Sequence, residues 1–317
     1  MKVSPVEDLG HGIYCVDAGY VSPGVACCYL LIEDGEVAII ETGTAHSADG
    51  IAEALAYLAV PNEAVRYIIP THVHLDHAGG AGLLMQRYPD AELIIHPRGA
   101  RHMIDPAKLV AGTEAVYGEQ KFAELYGEVV PVPESRVVVA EDGYRLNLGE
   151  RSLEVRHTPG HAEHHFCLWD NRSRGWFTGD TFGISYREMV FGDKRFIIPT
   201  TTPVQFDPDK LLNSIELMMS AGPERMYLTH YSVLEQPERV SQLLCTQIEA
   251  YRQLALSCKD EVDRQQVIAQ KLESMTLALI KDRVPEADLQ AMAKVLAMDI
   301  ELNAQGLNIW LTRQEPK

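Results

Sequence analysis

The chain has 317 residues, 46% of them hydrophobic, enough to bury a large core and too apolar for a disordered polymer. Its formal net charge is −17, from 28 basic and 45 acidic residues, and no Lys/Arg run interrupts it, which disfavours nucleic acid and anionic membrane as partners. The amino-terminal stretch Met1 to Asp8 lacks the apolar core of a leader and no later stretch is long enough to span a bilayer, so a cytoplasmic location is the expectation.

In chain order, Ala26-Cys27-Cys28-Tyr29-Leu30-Leu31-Ile32 is the first strongly β-rich run, and such runs alternate with helical patterns, as in two packed sheets with helices outside. Glu41 closes a second apolar run, Val37 to Ile40. Tyr67-Ile68-Ile69-Pro70 reads as a buried strand and delivers Thr71-His72-Val73-His74-Leu75-Asp76-His77, three imidazoles and a carboxylate in seven residues. Strand alternation would send His72 and His74 to the same side, with Asp76 and His77 where the chain turns into a helix. Neutral imidazole and carboxylate are ligands that zinc, iron(II) and manganese(II) accept at about 2.0–2.2 Å. An apolar core would not tolerate so many polar groups unpaired.

Residues 98–128 read as helical, an insertion able to wall one side of a site. Three further turns follow strand-like runs and each carries a potential ligand: Thr158-Pro159-Gly160-His161, Thr178-Gly179-Asp180 and Thr229-His230. Residues 182–206, with Tyr186, Met189, Phe191, Phe196, Ile197 and Ile198, are irregular, and loops of this length often shape substrate access. Asp207-Pro208 reads as an N-cap and first-turn proline. From about Gln236 the pattern is helical, with Val240, Leu243, Leu244, Ile248 and Tyr251 on one face and Leu289, Met292, Val295, Leu296 and Ile300 on another. The six cysteines show no CxxC spacing, and a disulfide framework is not expected.

The order HxHxDH, TPGH, TGD and a late TH, over about residues 10–232, resembles the metallo-β-lactamase fold superfamily. The resemblance implies an α/β chain: an αββα sandwich over residues 1–235 with a C-terminal helical appendage over 236–317, the latter serving as a cap, a cover for the active site or a homodimer contact. It implies two divalent metal ions, most readily Zn2+, with Fe or Mn open because the ligands are hard. His72, His74 and His161 would hold the first, Asp76, His77 and His230 the second, and Asp180 would bridge them. A hydroxide shared by the two ions would be the nucleophile.

Asp180 stands where the zinc β-lactamases with a cysteine ligand carry that Cys, and His77 is not a ligand there. The chain therefore looks like the dinuclear hydrolase branch, with glyoxalase II, lactonases, phosphodiesterases and the thioesterases of quinolone signalling, and not like a true β-lactamase. Glu41 occupies a position where that family usually has Asp and where the carboxylate supports a metal-bound histidine. His165 reads as a supporting residue. The function implied is hydrolysis of a small ester or thioester. A lactonase or phosphodiesterase with the same site, a mononuclear iron persulfide dioxygenase and a non-catalytic ligand-binding regulator are the alternatives. Asp76 and Asp180 are the candidate catalytic carboxylates, with Tyr231 and Tyr186 weaker candidates for protonating a leaving group.

Overall fold

Successive residues of the β-rich runs bury opposite faces, and that alternation builds two cores around one sheet. In a computed structural model describing residues 6–192 and 194–315, Cys27, Tyr29 and Leu31 join one apolar cluster while Cys28 and Leu30 join another. The amino-terminal residues 1–5, part of the stretch read above as lacking a leader core, lie outside the described residues.

The chain divides into two units, the first comprising residues 1–157, 164–179 and 223–235. Its seven-stranded sheet runs in chain order: β1 (Glu7–Asp8), β2 (Ile13–Asp17), β3 (Cys27–Glu33), β4 (Glu36–Ile40), β5 (Val65–Ile69), β6 (Glu92–Ile95) and β7 (Val137–Val139). The first four pair antiparallel, and β4 to β7 are parallel. Parallel neighbours require crossovers, which the helices α1 (Ser47–Tyr57), α2 (Leu75–Ala78), α3 (Ala81–Arg87), α4 (Pro97–Ile104), α5 (Ala107–Tyr117) and α6 (Glu119–Tyr126) supply. The last three are the helical insertion expected at 98–128. Ile51, Leu55, Leu84 and Met85 from these helices pack with Val37, Ile39, Ile68, Leu93 and Ile95 on one face of the sheet.

The second sheet has the order β15-β14-β11-β10-β9-β8. It is built from β8 (Arg145–Leu148), β9 (Arg151–His157), β10 (Phe166–Asp170) and β11 (Gly175–Phe177); after the short pair β12 (Val190–Phe191) and β13 (Lys194–Arg195), which lies in the other unit, come β14 (Arg225–Leu228) and β15 (Ser232–Glu235). Leu148, Leu153, Val155, Phe166, Leu168, Phe177 and Tyr227 meet Ile13, Tyr29, Leu31, Ile40, Ile69 and Ile94 in the inter-sheet core. Two sheets flanked by helices is the αββα class expected, followed by the C-terminal helices.

The second unit comprises residues 158–163, 180–222 and 236–317. It holds α7 (Pro208–Ser220), α8 (Glu238–Ser257), α9 (Arg264–Arg283), α10 (Leu289–Val295) and α11 (Ala297–Gln314). Asp207 caps α7 by accepting from Lys210 N at 3.1 Å with Pro208 in the first turn, as the sequence indicates. Leu244, Ile248 and Tyr251 of α8 and Met292, Leu296 and Ile300 are buried, whereas Val240, Leu243, Leu289 and Val295 are half-buried. The irregular stretch after Asp180 is tied down within this unit. Ile184 bridges Ile198, and the buried Asn303 accepts from Thr201 N at 2.5 Å and donates from Nδ2 to Pro199 O at 3.1 Å. Tyr186, Met189, Phe196, Ile197 and Ile198 are therefore interior residues and Phe191 is half-buried. Among the described residues no helix is long and apolar enough to cross a membrane.

A buried ion pair locks the far end of the second sheet in the first unit. Arg151, 2% exposed, donates from Nε to Asp170 Oδ1 at 2.9 Å and from Nη2 to Oδ2, and its Nη1 reaches His11 O. Burial alone would raise the Asp170 pKa, but the hydrogen bonds from Arg151 and Ser173 outweigh it and hold the carboxyl below its ordinary value. The depressed pKa means the pair contributes stability above the unfolded-state pKa of Asp and loses it as pH falls through the lower folded value. Arg151→Met, which leaves Asp170 buried without its cation, is expected to lower stability by about 3–5 kcal/mol at neutral pH in urea denaturation, and the deficit should shrink as the medium is acidified.

Candidate metal centre

β5 ends at Ile69, and His72 and His74 follow in the connecting loop. The two rings lie on the same side, as expected from sequence, although both residues stand past the end of the strand, His74 still with extended backbone at φ −63° and ψ 147°. His72 Nε2 lies 2.9 Å from His74 Nδ1. The His74 carbonyl accepts from His77 N and Ala78 N, so α2 begins directly after it and carries Asp76 and His77 together. His230 follows the end of β14, where the preceding Thr229 carbonyl accepts from Cys27 N at 2.9 Å.

Within the first unit, the ligand atoms of Asp76, His77 and His230 all lie within 4.8 Å of one another. His77 Nδ1 donates to Glu41 Oε1 at 3.0 Å and His230 Nδ1 donates to the Val25 carbonyl at 2.8 Å. An oxygen that can only accept fixes the proton on Nδ1, so each neutral ring turns its Nε2 lone pair toward Asp76 Oδ2, at 3.6 and 3.5 Å. Two lone pairs and a carboxylate at that spacing repel one another unless a cation sits among them. Ligands at about 2.1 Å from a tetrahedral ion stand about 3.4 Å apart, so the donor set fits a divalent metal.

His72 is oriented in the same way. Thr71 Oγ1 donates to Glu41 Oε1 at 2.6 Å, which leaves its lone pair to accept from His72 Nδ1 at 3.1 Å and frees Nε2 to act as a ligand beside His74 Nδ1. The other two expected ligands form their own pair in the second unit, His161 Nε2 standing 3.4 Å from Asp180 Oδ2. The TPGH turn that carries His161 is anchored at the start of α7: Gly160 O accepts from Asp207 N, and Pro159 O from Ser214 Oγ. Gly160, at φ +133°, has no room for a side chain, since a Cβ would lie 2.3 Å from Leu211 N. Gly179, at φ +48° just before Asp180, is similarly constrained, because a Cβ would meet Thr71 Oγ1 and His165 Nε2 at 2.4 Å.

Glu41 is the residue on which this arrangement turns. Buried to 1% exposure, it accepts from Thr71 N at 3.0 Å, Thr71 Oγ1, Thr229 Oγ1 at 2.9 Å and His77 Nδ1. The longer side chain does reach the histidine it was expected to support. Thr71 and Thr229 carry no role in the sequence reading. Their signal was available: each stands immediately before a histidine expected to be a ligand. His165 is fully buried with its ring centroid 4.8 Å from that of His72, and His164 has its ring 5.6 Å from His74. His102, with its ring 6.4 Å from His164, is held below the usual imidazole pKa by burial and by Arg101 and Lys108.

Both tyrosines considered as leaving-group acids are interior residues. Tyr231 packs in the inter-sheet core, and Tyr186 donates to Asp299 Oδ1 at 2.9 Å within the second unit. Burial pushes the phenol of Tyr126 up, aided by Tyr20, whose hydroxyl is 3.2 Å away, and by the charge of Asp76. His96 and His157 have their ring centroids 4.1 Å apart with the planes tilted by 40°, and His157 Nε2 donates to Ala140 O.

Comparison with known proteins shows which family the chain resembles. The sequence profile of the metallo-beta-lactamase superfamily matches residues 21–230. The uncharacterized protein YobT of Bacillus subtilis is 25% identical over 220 residues, 68% of this chain and 88% of its own. The metallo-beta-lactamase fold-containing protein ST1585 of Sulfurisphaera tokodaii is 26% identical over 225 residues, 69% of this chain and 78% of its own. Its crystal structure superposes with a TM-score of 0.65 at 23% identity, covering 96% of this chain and 99% of that one. The acyl-coenzyme A thioesterase MBLAC2 of Gallus gallus is 28% identical over 185 residues, 55% of this chain and 64% of its own.

Removing the carboxylate of Glu41 would leave three buried donor groups without an acceptor and release the His77 ring. Glu41→Ala is expected to weaken divalent-metal binding at Asp76, His77 and His230 by about 10- to 100-fold, read by competition with a chromogenic chelator.

Proposed function

The chain belongs to the metallo-beta-lactamase superfamily, and from that premise we propose that it is a dinuclear metal-dependent hydrolase of a small thioester or ester. The observation that carries the proposal is the orientation of the histidines. His72 and His77 are each fixed by a hydrogen bond from Nδ1 that leads, directly or through Thr71, to Glu41, and His230 by one to a backbone carbonyl, so all three offer Nε2 as a ligand. A chain with no use for a metal has no reason to bury and orient imidazoles in this way.

In this reading His72 Nε2, His74 Nδ1 and His161 Nε2 hold one divalent ion, Asp76, His77 and His230 hold a second, and Asp180 is shared. Zinc suits the set, and iron or manganese suits it too because every ligand is nitrogen or carboxylate oxygen. When bound, the metals supply Lewis acidity, which activates water for attack and polarises the acyl carbonyl. The residues of the chain do the rest. Glu41 keeps the rings in the tautomer that binds, and Asp76 and Asp180, as carboxylates beside the reacting atoms, accept and return protons. In thioester cleavage the acyl carbon gains a bond to the water oxygen, the C–S bond breaks, and the sulfur leaves as thiolate and takes up a proton.

The thioester preference is supported by the kinship with the acyl-coenzyme A thioesterase MBLAC2. The excess of acidic residues, −17 net, argues against extended polyanions as substrates. The partner implied is a small molecule, and the setting implied is the cytoplasm. A panel of acyl-coenzyme A thioesters, lactones and bis(p-nitrophenyl) phosphate tests the reading. The thioesters should turn over fastest, and His74→Ala and Asp180→Asn should each lower that turnover by orders of magnitude while the circular dichroism spectrum stays unchanged. Turnover preserved in metal-depleted Asp180→Asn protein, or cleavage confined to the phosphodiester, would contradict it.

A further inference from the structure

We propose, on the hydrolase reading above, that Thr202, held in place by α11, donates a hydrogen bond to the acyl oxygen of the substrate. Thr202, His161, Asp180 and α11 all lie in the second unit. His161 Nδ1 donates to the Thr200 carbonyl at 3.5 Å, an oxygen that can only accept, so the neutral ring keeps its lone pair on Nε2. Two groups meet that lone pair, Asp180 Oδ2 at 3.4 Å and Thr202 Oγ1 at 3.5 Å. An ionised carboxylate has no proton to give, so Thr202 is the one of the two that donates to Nε2. Its hydroxyl makes this one hydrogen bond among the described residues, and the residue is half-buried. A metal ion taken up by His161 claims the Nε2 lone pair, and the Thr202 proton must then turn to another acceptor.

The segment that carries Thr202 is fastened to α11 on both sides of the preceding residue. Asn303 Oδ1 accepts from Thr201 N at 2.5 Å, Asn303 Nδ2 donates to Pro199 O at 3.1 Å, and Thr201 Oγ1 donates to the Asn303 carbonyl at 3.0 Å. Gly306 stands three residues further along the same helix face, and a Cβ there would overlap Thr201 O. A buried asparagine and a glycine are both poor choices for a helix interior. Together they let α11 lie directly on residues 199–202, which sets both the Thr200 carbonyl and the Thr202 hydroxyl against His161.

The chemistry selects the acyl oxygen as the acceptor. The attacking water has protons to lose and is served by carboxylates, which accept them. The acyl oxygen instead gains negative charge as the water oxygen bonds to the acyl carbon, and it gives that charge back when the C–S bond breaks. A neutral hydroxyl fixed beside it stabilises the charge by a hydrogen bond, with no proton transferred.

The test compares Thr202→Val, which keeps the shape and removes the hydroxyl, with Thr202→Ser, which keeps the hydroxyl. The full chain loaded with Co2+ is titrated with acetohydroxamate, whose carbonyl oxygen stands in for the acyl oxygen, and binding is read from the visible spectrum. Saturable binding is expected in the parent, weaker by roughly tenfold in Thr202→Val and restored to within about threefold in Thr202→Ser. Zn2+ affinity, read by chelator competition, should be the same in all three. With an acyl-coenzyme A thioester, Thr202→Val should lower kcat by about 10- to 100-fold with little change in KM, since the metal shares the task of stabilising the oxygen. Gly306→Ala should weaken hydroxamate binding in the parent and not further in Thr202→Val. Equal hydroxamate affinity in the parent and Thr202→Val, or no saturable binding to the parent at millimolar concentration, overturns the donor role, and so does a loss of Zn2+ affinity in Thr202→Val. A loss of the same size from Gly306→Ala in both backgrounds overturns the role of α11. A parent that turns over no thioester contradicts the hydrolase reading instead, and the hydroxamate titration of Thr202→Val still decides the donor role, even where Gly306→Ala does not fold.

Discussion

A single buried carboxylate, Glu41, organises the ends of four elements in the first unit. Its four accepted hydrogen bonds come from Thr71, two residues past β5, from α2 and from the residue after β14, so one side chain joins strand ends of the first sheet to one of the second. Glu41 itself sits at φ +62°, a left-handed conformation that costs a non-glycine residue on the order of 1–3 kcal/mol. Hydrogen bonds to an ionised acceptor are about twice as strong as neutral ones, and four of them offset that strain. The strain has a purpose: it turns the carboxylate back over the strand ends, where the histidines emerge.

The sheets provide the stiffness that this arrangement requires. Each sheet is buried on its inner face in a shared core, and the ligand loops leave from strand ends with little freedom to drift. The nucleophilic side chains, by contrast, are withdrawn. All six cysteines are free thiols and five are buried. Cys28 is held well above the usual thiol pKa by burial and by the charge of Glu41, and Cys15 by its hydrogen bond with Cys27, followed by burial. Under the proposed function, reactivity would fall to water activated by a metal and not to a thiol.

Much of this was legible in the sequence because its signals are local. Apolar alternation over residues 26–40 marks strands whatever surrounds them, and HxHxDH places three imidazoles and a carboxylate close together by chain connectivity alone. Asp207-Pro208 likewise announces a helix start. The remaining features depend on contacts between distant residues. Thr71 and Thr229 are 158 positions apart (229 − 71), and only the folded chain brings both hydroxyls to Glu41. The apolar residues at 186–198 are visible in the sequence, but composition does not say what they pack against. Asn303, more than a hundred positions away, is what draws that segment inward.

The account stands on paired metal sites, and metal stoichiometry tests it most directly. Elemental analysis of the chain purified without added metal, then saturated with Zn2+ and desalted, should give two divalent ions per chain in the parent and a marked loss of one in His230→Ala. A single iron per chain that no treatment raises to two, accompanied by oxygen uptake and no hydrolysis, would contradict the dinuclear centre and the hydrolytic chemistry built on it.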